Sequence, residues 1–224
     1  MSDQVPAPAN RRERPPKPAL TREGIIAAAL ELFRSGGLSG VTMRSVARAL
    51  DTGHASLYVY VRDTADLHAQ ILDAELAAIT IPDYSEPWRS SLVELLMDYR
   101  RVLFSNADIA KTVLFTRLDG PNYTALAEAV LTLLDKGGIT GQAAAWGVDV
   151  LLQQAAATAA EHAHSAVNSP TPRQAPRANE VPVDANRYPR IAALREDLFS
   201  GTPTSRSEWA ITMLIEGLLA VGRD

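Results

Sequence analysis

The side chains best equipped for chemistry lie between Thr42 and Arg62. Arg44, Arg48, His54, Ser56, Tyr58, Tyr60 and Arg62 alternate there with apolar Met43, Val46, Ala47, Leu50, Leu57 and Val61. These polar groups form no nucleophile–base pair and no metal-ligand spacing. What they share is the ability to donate hydrogen bonds to phosphate oxygens and base edges. The apolar residues recur at helical spacing, which predicts two short helices, about Met43–Leu50 and His54–Tyr60. Thr42 is a good N-cap for the first. Asp51-Thr52-Gly53 breaks the pattern, and Gly53 is expected to supply the backbone freedom of a tight turn. Burial of Leu57 and Val61 leaves His54, Ala55, Ser56, Tyr58, Val59 and Tyr60 facing outward. Two tyrosines exposed on a short helix of small residues suit the second helix of a helix-turn-helix, which enters the DNA major groove.

Other chemistries find little support. There is no Ser-His-Asp signature, no P-loop and no dinucleotide fingerprint. His162 and His164 stand two apart on a predicted helix, so they point in different directions and make a poor metal pair. The chain has 0 cysteines, which excludes a disulfide framework and thiol chemistry. No enzyme, metal or cofactor role is expected. A hydrophobic content of 46% with 21% charged residues suits a globular chain, and its 224 residues can bury a real core. No apolar run reaches the length of a membrane span and no secretory signal opens the chain, so a cytoplasmic protein without a membrane partner is expected. The net charge of −4 argues against indiscriminate nucleic-acid binding. Its distribution is uneven, however. From Met1 to Arg62 basic residues outnumber acidic ones, which suits a DNA-reading end on an acidic body.

The pattern Gly37-Leu38-Ser39-Gly40-Val41-Thr42-Met43-Arg44, then Val46-Ala47, Leu50 and Ser56-Leu57-Tyr58-Val59-Tyr60-Val61, resembles the DNA-binding domain of the tetracycline-repressor (TetR) family. The resemblance covers about Thr21 to Ile79. Departures are Asp51, where the family usually has Gly, and Thr64, where it usually has a phosphate-contacting Lys. Gly53 also stands where a polar capping residue often precedes the recognition helix. Together, residues and resemblance select Thr42, Arg44, His54, Ala55, Ser56, Tyr58, Tyr60 and Arg62 as DNA contacts. Arg44 is assigned to a guanine edge, His54 to a purine and Ala55 to a thymine methyl. Tyr58 and Tyr60, helped by Thr42, are assigned to phosphates, and Arg62 and Arg48 add charge.

The elements that position this motif are predicted to be helices only, so the fold class is all-α. Residues 1–19 hold five prolines and the cluster Arg11, Arg12, Arg14, Lys17, and read as a disordered basic arm. A first helix from Thr21 to about Ser35 carries the stripe Ile26, Ala29, Leu30, Phe33. A fourth helix from Asp63 or Thr64 to about Ile79 carries Leu67, Ile71, Leu72, Leu76. Together with the motif they make a DNA-binding domain over 20–79, with Arg22 near a phosphate. Residues 80–87 read as a linker. Residues 88–224 read as a helical body with helices near 88–105, 108–117, 122–136, 140–165, 188–199 and 205–221. The segment 167–189, with five prolines, reads as a mobile loop. The alanine-rich 140–165 helix and the all-round apolar last helix call for cover by a second protomer. Resemblance agrees, implying a homodimer through a four-helix bundle with reading heads about 34–36 Å apart on double-stranded DNA.

By resemblance the body also holds a pocket for a small-molecule effector, its wall drawn from Met97, Arg101, Phe104, Phe115, Tyr123, Leu126, Trp146 and Gln153. The apolar character of these residues suggests a lipophilic or aromatic effector. The expectation is a repressor released from its operator by that effector. Two other readings fit the same residues. One is a helical ligand-binding protein with weak DNA affinity, suggested by Asp51, Thr64 and the acidic start of the fourth helix. The other is a small all-helical enzyme.

Overall fold

The structure is a computed structural model that describes residues 19–105, 107–114, 119–168 and 182–221. Among these residues every regular element is helical. The expected arm and most of the proline-rich segment lie outside them.

Helix α1, Arg22–Gly36, begins where Thr21 Oγ1 accepts a hydrogen bond from the Gly24 N–H at 3.0 Å. Its buried stripe is Ile25, Ala29 and Phe33. The expected Ile26 and Leu30 are half-buried and line a crevice, so the core face is turned by one residue. The helix stops at Gly37, whose φ of 72° suits only a residue without Cβ. After a short 3₁₀ turn, helix α2, Met43–Ala49, opens on a reciprocal cap. The Ser45 N–H donates to Thr42 Oγ1 and the Thr42 N–H donates to Ser45 Oγ. Met43, Val46 and Ala47 are buried and Leu50 half-buried.

The turn that follows departs from expectation. Asp51, not Gly53, takes the left-handed conformation, with φ 48°, while Gly53 has an ordinary φ of −73°. An aspartate tolerates that region better than most residues because its short polar side chain can bond locally. Helix α3, His54–Leu57, is a single turn, and Tyr58–Tyr60 continue as a hydrogen-bonded turn that ends with the Val61 N–H on the Leu57 carbonyl at 3.0 Å. Helix α4, Thr64–Leu76, is capped by Asp63, whose side chain accepts from the Asp66 N–H at 2.8 Å. Leu67, Ile71, Leu72 and Leu76 are buried as expected, and the helix ends three residues before Ile79.

Beyond residue 87 lie α5 (Trp88–Phe104), α6 (Ala107–Val113), α7 (Pro121–Lys136), α8 (Gly141–Asn168), α9 (Pro189–Ala193), α10 (Arg195–Leu198) and α11 (Pro203–Val221). Helix α7 is capped two residues earlier than the expected Asn122: Gly120 is its N-cap and Pro121 its first residue. The expected 188–199 helix is two short ones, and α8 runs into the segment read as loop. Helix α5 sits at the centre, packed on α6, α7, α8 and α11. Its Leu92, Leu96 and Leu103 meet Leu126, Val130 and Leu133 of α7, Leu151 and Ala155 of α8, and Ile211 and Ile215 of α11 within one core. An Arg89–Glu216 ion pair ties α5 to α11 on the surface. Helices α8 and α11 approach closely at Gly147, where a Cβ would stand 3.0 Å from Leu218 Cδ1. Their outer faces stay apolar and bare: Trp146 is 65% and Trp209 67% exposed, joined by Val150, Met213 and Val221.

Candidate nucleic-acid interface

Leu57 is 0% exposed and Val61 is buried with it. These two anchors dictate which side of α3 faces solvent. His54, Ala55, Ser56 and Tyr58 are exposed, with Tyr58 at 53% and Val59 at 79%. The His54 ring meets the Tyr58 ring edge-on at 6.4 Å and 74°, so the two rings form one projecting ridge. Arg44 and Arg48 of α2 are exposed, and neither forms an ion pair among the described residues. Thr42 is exposed, but its hydroxyl is engaged with Ser45 in the cap of α2.

Two expected contacts are spent elsewhere. Tyr60 is half-buried and its hydroxyl donates to the Leu20 carbonyl at 2.7 Å. A phenol has one proton to give and phosphate oxygens only accept, so Tyr60 cannot donate to a phosphate while this bond stands. It is the lock between the chain's approach to α1 and the turn after α3. Arg62 is exposed, but its Nε lies 3.5 Å from Asp66 Oδ2, and its N–H donates to the same oxygen at 2.8 Å. The pair is a weak surface one, since the Arg62 side chain is 81% exposed. Burial pushes the Asp66 carboxyl up, but hydrogen bonds from the Arg62 N–H, Gln70 and the Arg62 side chain outweigh it and hold the group below its ordinary value of 3.8. Arg22, expected near a phosphate, donates to Gln70 Oε1 of α4. With the Arg34–Glu75 ion pair at 3.0 Å, it fastens α1 to α4. His68 completes the frame, with Nε2 2.8 Å from the Val41 carbonyl before α2.

One feature of this frame reaches into the body, and the sequence reading missed it. Asp73 of α4 is 93% buried, at 7% exposure, and its carboxylate closes the N-terminus of α7. Oδ2 accepts from the Asn122 N–H at 3.3 Å and from Asn122 Nδ2 at 3.0 Å, while Oδ1 accepts from the Tyr123 N–H at 2.8 Å. The first-turn N–H groups of a helix have no partner of their own, and an anion there also answers the helix dipole. Gly120 makes room: a Cβ on it would lie 2.1 Å from Asp73 Cγ. The signal was present in the sequence as an aspartate beside the stripe Leu67, Ile71, Leu72, Leu76. A carboxylate so placed must either reach solvent or find donors. A crevice of about 810 Å³ opens above this joint, between Ile26 and Leu30 of α1, Gln70 of α4 and Asp119–Asn122.

The residues expected to line the effector pocket divide between the core and the surface. Leu126 is buried and Met97 and Tyr123 are half-buried. Arg101 is exposed and paired with Asp98 at 2.6 Å. Phe104 is 42% exposed, and Trp146 and Gln153 lie on the bare face of α8. Phe115 lies outside the described residues. The outward placing of Trp146 and Gln153 has a physical source: α8 has two apolar sides, and periodicity alone does not tell a core side from an outer one. On α5 the adjacent Arg100 is buried instead of Arg101, because it shares the inward face of Leu96 and Leu103.

Comparison with known proteins agrees with this architecture. Residues 25–71 match the family model for bacterial regulatory proteins of the tetR family, and residues 81–221 match that for the tetracyclin repressor-like C-terminal domain. The HTH-type transcriptional repressor DrrR1 of Streptomyces coeruleorubidus is 30% identical, over 93% of this chain and 80% of its own. The first curated relatives are matched over only about half their length, 52% and 56%. A proposed transcription regulator, SCO7704 of Streptomyces coelicolor, has a solved structure with TM-score 0.76 and 44% identity, over 90% of this chain and 96% of its own. The TetR family protein ActR of Streptomyces coelicolor, solved in complex with actinorhodin, aligns with TM-score 0.77 and 28% identity, over 92% of this chain and 100% of its own. With its helix-turn-helix and its helical body each matched, the chain belongs to the tetracycline-repressor (TetR) family of bacterial regulatory proteins.

Proposed function

We propose that the protein is a homodimeric, non-enzymatic transcriptional repressor that holds operator DNA with two copies of the α2–α3 motif and lets go when a small molecule enters its body. In this reading residues 20–79 are the reading head, 80–87 the linker and 88–224 the effector-binding and dimerising body. The observation that carries it is the complete burial of Leu57, which turns His54, Ala55, Ser56 and Tyr58 outward beside the exposed Arg44 and Arg48. Arg44, Ala55 and His54 then read base edges, while Tyr58 and Arg48 hold phosphates. Repression is favoured because DrrR1 is a repressor, and a small effector because ActR was solved with one. The bare tryptophan stripes on α8 and α11 are the surface for the second protomer. Among the described residues no helix is long and apolar enough to cross a membrane, and a cytoplasmic site of action fits that. Coupling runs through α4: an effector that shifts α7 pulls Asp73 and so changes the spacing of the heads.

The rival is a ligand-binding protein with little DNA affinity, favoured by the Arg62–Asp66 pair and the occupied Tyr60 hydroxyl. Fluorescence anisotropy with duplex DNA from upstream of the protein's own gene, titrated with salt, separates the two. The repressor reading expects tighter binding to that duplex than to a scrambled one, with log affinity falling linearly in log salt. It expects Arg44→Ala to lose about 1–3 kcal/mol of the specific affinity. Equal affinity for both duplexes would overturn it.

A further inference from the structure

Arg100 is the one buried cation among the described residues, at 6% exposure. It forms no ion pair among them, and its Nε has no hydrogen-bond partner. Other buried polar groups are satisfied: Asp73 accepts three hydrogen bonds, and Ser207 Oγ donates to the Pro203 carbonyl at 2.8 Å. The guanidinium carbon of Arg100 stands 5.6 Å from the Phe104 ring centroid, and the chain neighbour Tyr99 is buried within electrostatic reach of Tyr123 of α7. An aromatic face attracts a cation but accepts no in-line hydrogen bond, so the buried Nε–H stays unfilled. The neighbouring cation is no substitute, because Asp98 already pairs with Arg101. Burial lowers the basicity of Arg100, as expected for a charge held from water without a counter-ion. Leaving a guanidinium so placed is costly, and the cost is removed when an oxyanion arrives.

We infer that Arg100 anchors the oxyanion of an otherwise apolar effector, a carboxylate or sulfonate on an aromatic or aliphatic frame, with the Phe104 ring beside it. This rests on the reading of the body as effector-binding and adds the chemical class of the ligand. It also narrows the lipophilic or aromatic effector suggested by the apolar wall residues to an acidic one.

The test uses two fluorescent probes of nearly equal shape, the anion 1-anilinonaphthalene-8-sulfonate and the neutral N-phenyl-1-naphthylamine, titrated into the full chain. Wild type is expected to bind the anion about tenfold or more tighter than the neutral probe, as a charge-assisted hydrogen bond would give. Arg100→Met should erase that preference without lowering the melting temperature of the ligand-free protein. Arg101→Met should keep the preference. Arg100→Lys, which holds the charge without the planar fork, should retain a weaker one. A preference unchanged in Arg100→Met, no preference in wild type, or ligand-free unfolding of both Arg100 variants would overturn the assignment. DNA binding by wild type is measured alongside. If it is intact while the preference is absent, only the anion site fails. If DNA binding itself is absent, the underlying reading fails.

Discussion

Gly120→Ala is the sharpest perturbation the joint between α4 and α7 offers. Gly120 has φ −74° and ψ 165°, values any residue adopts, so alanine meets no backbone penalty there. Taken alone, the change should stabilise slightly, by about 0.4–1 kcal/mol, through the unfolded chain. In the folded protein, however, the new Cβ would stand 2.1–2.5 Å from the Asp73 carboxylate atoms. Asp73 must withdraw and release the Asn122 and Tyr123 N–H groups. Loss of an N-cap costs about 1 kcal/mol and a buried unsatisfied donor about 1–3 kcal/mol, so a net loss of about 2–3 kcal/mol is expected. Asp73→Ala removes the same bonds directly and should cost a similar amount. In the double variant the clash is gone, so Gly120→Ala should turn neutral or mildly stabilising. Urea unfolding followed by far-ultraviolet circular dichroism across the four proteins measures this coupling. Simple additivity of the two changes would refute the claim that Gly120 matters only as room for Asp73. Each single variant should also bind DNA with altered response to ligand, because the head no longer follows α7.

Other outcomes follow from the same coordinates. Tyr58→Phe should weaken DNA binding with little effect on the melting temperature. Tyr60→Phe should do the reverse, losing about 1 kcal/mol with its bond to Leu20, read by thermal unfolding and anisotropy on the same samples. Trp146→Glu with Trp209→Arg should convert a dimer to a monomer in sedimentation velocity, since both side chains are bare on the isolated chain. The depressed Asp66 carboxyl contributes stability that is fully present above its unfolded value near 3.8 and lost as pH falls through the lower folded value. Asp66→Asn should therefore flatten the acid limb of the stability–pH curve below about pH 4 and leave its neutral region with a small uniform loss.

Much of the head was legible in the residues themselves. A cap at Thr42, a stripe of Met43, Val46 and Ala47, a break near Asp51 and a buried Leu57 are local statements, decided within a few residues of chain. Period, capping and turn chemistry act over that same range, so the sequence alone determined where two short helices and the break between them lie, and that His54, Ala55, Ser56 and Tyr58 face outward; the conformation of the turn and the fate of Tyr60 it did not. The all-helical body and its bare last helix were legible for the same reason. Only the fold decided where long side chains end. Tyr60 looks like its DNA-facing neighbours until Leu20, 40 residues earlier in the chain, arrives beside it; Arg62, by contrast, meets Asp66 only one helical turn on. Arg100 and Arg101 differ by one position, about 100° of helix rotation, and packing against the rest of the body chose which lost its water. Asp73 reads as a surface charge until α7, some fifty residues on, presents its unpaired N–H groups. Hydrogen-bond partners of that kind are set by tertiary distance, and no local period encodes them.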